Sequence, residues 1–190
     1  MATAKADRLH FTGDDEADAF LAAEPLALLV GFVLDQQVPV QRAFAAPLEL
    51  KRRLGSFDAA TIAETDPAEL ERLFRGRPAL HRFPAAMARR TQALAAAIQE
   101  HYGGQAERVW SEAADGRELE RRLLELPGIG DMKTKTLIAV IGKRLGVRPP
   151  GWEEVAPAQP TLGDVDSADA LERYQAGKRA RKAALRAARS

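Results

Sequence analysis

The chain has 190 residues, 46% hydrophobic and 6% aromatic, with a formal net charge of +1. That size allows one globular unit or two small lobes sharing a core, and alanine and leucine so outweigh β-branched runs that an all-α fold is expected. The absence of cysteine excludes disulfides, thiolate metal sites and an iron–sulfur cluster, and with no apolar run near ~20 residues and no signal-peptide pattern the expectation is a cytoplasmic protein with no membrane segment.

Leu9-His10-Phe11 reads as a short extended lead-in, and Thr12-Gly13-Asp14-Asp15 as a helix start with acids in the first turn of the segment 16–23. Pro25 begins a second helix whose Leu26, Leu28, Leu29, Val30, Phe32, Val33 and Leu34 leave almost no polar face, so it is predicted to be the buried central helix. It runs into Asp35-Gln36-Gln37, and Val38-Pro39-Val40 starts a further helix to about residue 48. Ser56-Phe57-Asp58 and Thr65-Asp66-Pro67 are consecutive helix starts, and Gly76-Arg77-Pro78 breaks the chain. Pro84 opens a helix over 85–102 that ends at Gly103-Gly104. Helices over 117–126 and 132–142 follow, then an irregular stretch with Pro149, Pro150, Gly151, Pro157 and Pro160, and a last helix from 168 to about 188. There is no internal repeat.

Between the helices 117–126 and 132–142 stands Leu126-Pro127-Gly128-Ile129-Gly130-Asp131. Leu119, Leu123, Leu124 and Leu126 form one stripe before it; Met132, Leu137, Ile138, Val140 and Ile141 recur at near-helical spacing after it. Pro127 cannot continue the first helix, and the glycines permit positive φ and a close approach by another molecule. The second helix then starts with its amides directed at whatever approaches, beside Lys133 and Lys135, an arrangement suited to a phosphate. The plainer alternative is an ordinary helix connection that uses two glycines.

Charge is unevenly spread. Acids cluster in Asp14-Asp15-Glu16-Ala17-Asp18, whereas bases concentrate in Lys178-Arg179-Ala180-Arg181-Lys182 and on through Arg186 and Arg189. This is either a basic face behind a neutral total or a solvated helix end. Asp35, following Phe32-Val33-Leu34, either caps the next helix or stands at the lip of a cleft, where partial burial raises its pKa and lets it act as a base. Gln36 and Gln37 end the most apolar helix, so their amides need partners or a cleft. Leu80-His81-Arg82-Phe83, apolar and aromatic groups beside an arginine, suits stacking into an opened nucleic acid, or else is a packed loop.

Taken together, the hairpin 126–131, Asp35-Gln36-Gln37 on a buried helix and Leu80-His81 before a basic helix resemble the helix-hairpin-helix (HhH-GPD) base-excision DNA glycosylase superfamily. Its members include endonuclease III, the adenine–mismatch glycosylase and the 3-methyladenine glycosylases. The resemblance spans roughly residues 26–145, and in overall pattern the chain is most similar to a small bacterial branch. It implies two helical lobes with an inter-lobe DNA-binding cleft. One lobe, resembling a six-helix barrel, covers 26–115; the other combines 1–25 with 116–190 and carries the hairpin and the basic C-terminal helix. The implied partner is double-stranded DNA containing a damaged base, bound by a monomer associated with the nucleoid.

On that resemblance, Gln37 matches the glutamine that fills the space left by a flipped base. Leu80 matches the wedge that probes the partner strand, with His81 and Arg82 beside it. Gln36 lies next to the first, and Gly128, Gly130 and the amides near Met132, Lys133 and Lys135 match the phosphate grip. Hairpin carbonyls in relatives hold a monovalent cation, which places Na⁺ or K⁺ at Leu126 and Ile129; no other cofactor is implied. Extracting a base costs a few kcal/mol, and a side chain inserted into the gap offsets part of it.

Two departures bear on mechanism. Relatives with lyase activity carry a nucleophilic lysine where this chain has Met132; Lys133 lies one step on, rotated by ~100° around a helix. A monofunctional enzyme is therefore expected rather than a lyase using Lys133. The family's catalytic aspartate should follow the hairpin at a helix N-terminus, yet counting forward reaches Pro149-Pro150-Gly151-Trp152, with Glu153 and Glu154 just beyond. Amides there would keep a carboxylate ionised, as stabilising an oxocarbenium-like sugar and orienting water requires. Asp164 or Asp166 folding back, or Asp35, are the alternatives; the order of preference is Glu154, Asp35, Glu153, Asp166. Trp152 is expected near the pocket and Trp110 in the core. The expected function is a DNA glycosylase hydrolysing the N-glycosidic bond of a damaged base. A non-catalytic DNA-binding protein on the same fold and a helical protein-interaction module are the rival readings.

Overall fold

A computed structural model describes residues 5–188, and among these the regular structure is entirely helical. Eleven α-helices occur in order: α1 (Asp15–Ala23), α2 (Pro25–Leu34), α3 (Val40–Leu54), α4 (Ala59–Glu64), α5 (Pro67–Arg75), α6 (Pro84–Tyr102), α7 (Arg108–Ser111), α8 (Gly116–Leu124), α9 (Asp131–Lys143), α10 (Trp152–Val155) and α11 (Ala168–Ala187). A 3-10 turn, Leu162–Asp164, precedes the last.

Short polar side chains set most of the helix starts. Asp14 accepts from the amide of Ala17, Asp58 from Thr61, Asp66 from Ala68 and Glu69, Asp115 from Glu118, and Ser167 from Ala170. Gly55 and Gly103 end α3 and α6 in the left-handed conformation. α3 runs six residues past the sequence expectation, carrying Pro47 inside it. Ala43, Phe44, Leu48 and Leu50 keep one side of α3 buried on both sides of the proline, so packing overrides the lost backbone bond. Leu9-His10-Phe11 is not a strand; Leu9 and Phe11 are fully buried, and the Phe11 amide donates to Asp18 Oδ1 at 2.9 Å.

α2 is the central helix, with nine of its ten residues buried. It packs on α1, α3 and α6; α4 and α5 pack on α6, and α3 on α5. A second group forms around α9, which carries α8, α10 and the 3-10 turn; α7 packs on α8, and α11 on the 3-10 turn. α1 thus packs with α2 and α3, while the segment ahead of it reaches the second group through the Ala6 amide, which donates to Arg144 O at 2.8 Å. One continuous apolar cluster runs through both groups, including Trp110 and Trp152. Trp152 lies flat against Gly142 of α9, where a Cβ would come within 2.2 Å of the indole, and its Nε1–H donates to Ile138 O at 2.9 Å.

Candidate nucleic-acid interface and reaction cleft

The hairpin links α8 to α9 through a tight turn in which the Ile129 amide donates to Leu126 O at 3.1 Å, with both side chains buried as anchors. Gly128 has φ +82°, and a Cβ on it would sit 3.2 Å from a methyl of Val33. Its role is therefore docking the hairpin onto α2, in addition to making the turn. Gly130 faces open space, and no side chain caps the N-terminus of α9. The first amides of that helix have no helical acceptor, the condition for holding an anionic oxygen, although Asp131 in the first turn opposes it.

The two lysines expected to flank a phosphate are directed elsewhere. Lys135 Nζ bonds Glu120 Oε1 at 2.5 Å and Val155 O at 3.3 Å. Lys133 turns inward, donating to Val33 O at 3.2 Å and Gly128 O at 3.3 Å. Met132, at the position where lyase relatives carry a lysine, points into solvent, 82% exposed, and Lys133, one step round the helix, is the inward side chain.

Lys133 meets the C-terminal end of α2, where five other segments converge. Asp35, the C-cap of α2, is half-buried. Burial pushes its carboxyl up from the ordinary value, and the charges of Lys178 and Lys133 pull it back only in part. Burial pushes the Lys133 ammonium down, with Asp35 opposing the shift and Arg90 adding to it. Tyr174 of α11 is raised by its own burial and by the Asp35 charge. Gln36 accepts a very short hydrogen bond from Arg90 of α6. Gln37 is exposed and holds φ +56°, a left-handed conformation that costs a non-glycine residue energy.

Beneath this cluster lies His81, completely buried. Its Nδ1 accepts from the Phe83 amide at 3.0 Å, so Nε2 carries the proton and donates to Leu34 O and Gln36 O at 3.1 and 3.0 Å. Burial lowers its pKa, which keeps the ring neutral. His81 is thus a strut tying the loop after α5 to the end of α2, not a group facing outward. Leu80 is likewise buried. Next to them the loop presents Phe83, 40% exposed, and Arg82, whose guanidinium stacks 4.7 Å from the Phe83 ring.

The downstream acids lie in open water. Glu153 and Glu154 are exposed on α10, with Glu154 3.7 Å from Arg117. Asp166 is exposed and accepts from the Ser167 hydroxyl. Asp164 bonds Lys143 and the Thr161 amide, which hold its carboxyl below the ordinary value despite partial burial. Trp152 is core, as is Trp110. Among the described residues, no group of three His, Asp or Glu side chains could hold a metal ion.

Arg90, Tyr174, Lys178 and the reciprocal amide pair Gln41–Gln175 went unassigned to this site on sequence. The last pair is 134 residues apart, and no local pattern announces such a contact. Phe83 carried a signal, an aromatic beside an arginine ahead of a helix, but it was eclipsed by Leu80.

The family model described as HhH-GPD superfamily base excision DNA repair protein matches residues 30–189, from the middle of α2 past the end of α11. No curated protein and no solved structure matches the chain significantly.

Proposed function

The chain belongs to the HhH-GPD superfamily of base excision DNA repair proteins, and from that premise we propose that it is a monofunctional DNA glycosylase. A damaged base flipped from duplex DNA enters the cleft at the end of α2, and water hydrolyses its N-glycosidic bond. The observation that carries this reading is Asp35, a half-buried carboxylate with two cations acting on it, at the point where hairpin, α6 and α11 meet.

In this mechanism the sugar C1′–N bond breaks, the base departs with the electron pair, and the sugar gains oxocarbenium character. Ionised Asp35 stabilises that charge and accepts the proton of the attacking water, whose oxygen forms the new bond to C1′. Lys133 and Lys178 favour the ionised carboxylate and offset part of the effect of its burial. Gln37, on its strained backbone, fills the space left by the base, and Phe83 with Arg82 replaces Leu80 as the probe of the partner strand. The uncapped amides after Gly130 hold a phosphate. A Na⁺ or K⁺ on the carbonyls of Leu126 and Ile129 belongs to the same reading: Leu126 O spends one lone pair on the turn and keeps the other.

A second reading is favoured by one observation, the inward Lys133 with its lowered pKa beside Asp35. In it the uncharged Lys133 amine attacks C1′ as the base leaves with the C1′–N electron pair, and the ring-opened imine that follows loses a C2′ proton and expels the 3′ phosphate, which breaks the strand. Duplexes carrying uracil, 5-hydroxymethyluracil, hypoxanthine, 8-oxoguanine or alkylated purines separate the cases. Hydrolysis gives breaks only after alkali, and Asp35→Asn reduces them by about 10²–10⁴-fold. Breaks without alkali, with borohydride trapping lost in Lys133→Ala, would establish the lyase. Tight binding with no excision across the panel would leave a DNA-binding protein without catalysis.

A further inference from the structure

α11 divides into two unlike halves. The first is anchored: Ala170 and Leu171 are buried, Tyr174 is half-buried, and Gln175 exchanges amide hydrogen bonds of 3.0 and 3.3 Å with Gln41 at the start of α3. The second is fully exposed and carries Lys178, Arg179, Arg181, Lys182 and Arg186, with no acid in the chain after Glu172. Several other helices pair arginines with glutamates one turn away, as in Arg53–Glu49, Arg72–Glu69, Arg75–Glu71 and Arg122–Glu118. In the second half of α11 cations are spaced one turn apart: Lys178 with Arg181 and Lys182, and Lys182 with Arg179. Like charges at that spacing destabilise a helix, and an anionic partner removes the cost.

The joint between the halves is Gly177. A Cβ placed there meets nothing within 4 Å, and its φ is not in the left-handed range. Neither packing nor backbone geometry requires glycine, which costs a helix about 1 kcal/mol relative to alanine. Gly177 is therefore the position of lowest helix propensity in the continuous helix, one turn before Arg181, which donates to Gln159 Oε1 at 3.2 Å.

We infer that the C-terminal half of α11 is a basic arm that binds the phosphates of the duplex whose base occupies the Asp35 cleft. The inference rests on the DNA reading of the cleft and adds a second, independent grip to the hairpin. Position selects DNA over an acidic protein: the Gln41–Gln175 hydrogen bonds seat the anchored half of α11 on the start of α3, directly after the Asp35-Gln36-Gln37 segment, so the arm leaves from the proposed reaction site. At 1.5 Å per residue the arm is about 15 Å long, enough to face several phosphates.

The test compares the full chain with a variant carrying Arg179→Gln, Arg181→Gln, Lys182→Gln and Arg186→Gln, which keeps good helix formers and leaves Lys178 in place. Binding to an undamaged duplex is measured across salt concentrations. The log–log salt slope should become shallower by about 2–3, and low-salt affinity should fall at least about tenfold. Because the chain has no cysteine, Arg181→Cys provides a positional readout with a duplex bearing thiol tethers on its phosphates. It should cross-link well above Ser111→Cys, which lines a groove with Pro25 at the opposite end of α2. A full chain that binds with steep salt dependence while the variant binds identically would overturn the arm alone. Failure of the full chain to bind at low salt would overturn the DNA reading beneath it. Equal cross-linking from both cysteines would also refute the arm.

Discussion

Asp35 and His81 are buried to different ends, and their pKa shifts give opposite pH dependences. The folded-state pKa of Asp35 lies above its unfolded value of 3.8, so the folded chain holds the proton more tightly. Stability therefore falls as pH rises from 3.8 through the folded value, and at neutral pH the ionised carboxylate is a net burden. Asp35→Asn should melt at a higher temperature than the native chain at pH 7 while excision collapses; a lower melting temperature would refute a net-costly carboxylate. The same residue would then be a liability for folding and the centre of the chemistry. His81 has a folded-state pKa below 6.5, so the unfolded chain takes up the proton first and stability is lost as pH falls from 6.5 towards the folded value. His81→Ala removes a buried ring, leaves the Phe83 amide without its acceptor, and takes the N–H from the carbonyls at the end of α2. The expected loss is about 2–4 kcal/mol in urea unfolding at pH 7.5. An effect under ~1 kcal/mol would mean that His81 is not the strut described.

At the level of elements, the sequence is most readable where structure depends on chemistry within one helical turn. Asp14, Asp58, Asp66 and Ser167 mark starts because a short side chain reaches an amide two or three residues on. The end of α3 is less readable: proline disfavours a helix locally, yet the buried side of α3 continues past Pro47 to Leu50. The seat of Trp152 is equally hidden: nothing near residue 152 says that Gly142 receives it. Gly142→Ala puts a methyl about 2.2 Å from the indole, closer than the two can coexist. The expected cost is about 1–3 kcal/mol from overpacking, measured by chemical unfolding; a neutral result would show that the contact between α9 and α10 relaxes freely. Gly177→Ala has the opposite expectation, because its site is open. It should add about 0.5–1 kcal/mol of helix stability, read as slower amide exchange over residues 178–187. Unchanged exchange would argue against a weak point at that glycine.

At the scale of the whole molecule, the site is only partly legible because it is assembled from distant segments. The hairpin and Asp35-Gln36-Gln37 are contiguous and readable; the inward Lys133 and the placing of α11 against α3 depend on contacts between distant segments, as does the burial of Leu80 within the first group of helices. A helical rotation of ~100° could not decide which residue faces inward, because the direction of the cleft is itself a tertiary fact. The assembled molecule separates grip from chemistry. The groups proposed to hold DNA are the amides after Gly130 and the basic arm of α11, whereas Asp35, a carboxylate that repels phosphate, is proposed to act only on the sugar. Duplex DNA at a hundred times Kd should therefore raise the melting temperature of the native chain by roughly 5–10 °C, and the rise should shrink as salt increases. Asp35→Asn should show a rise at least as large, since one negative charge has left the face that meets the phosphates. If the variant instead loses the DNA-induced rise, Asp35 belongs to the grip, and the carboxylate that drives hydrolysis must be sought elsewhere in the cleft.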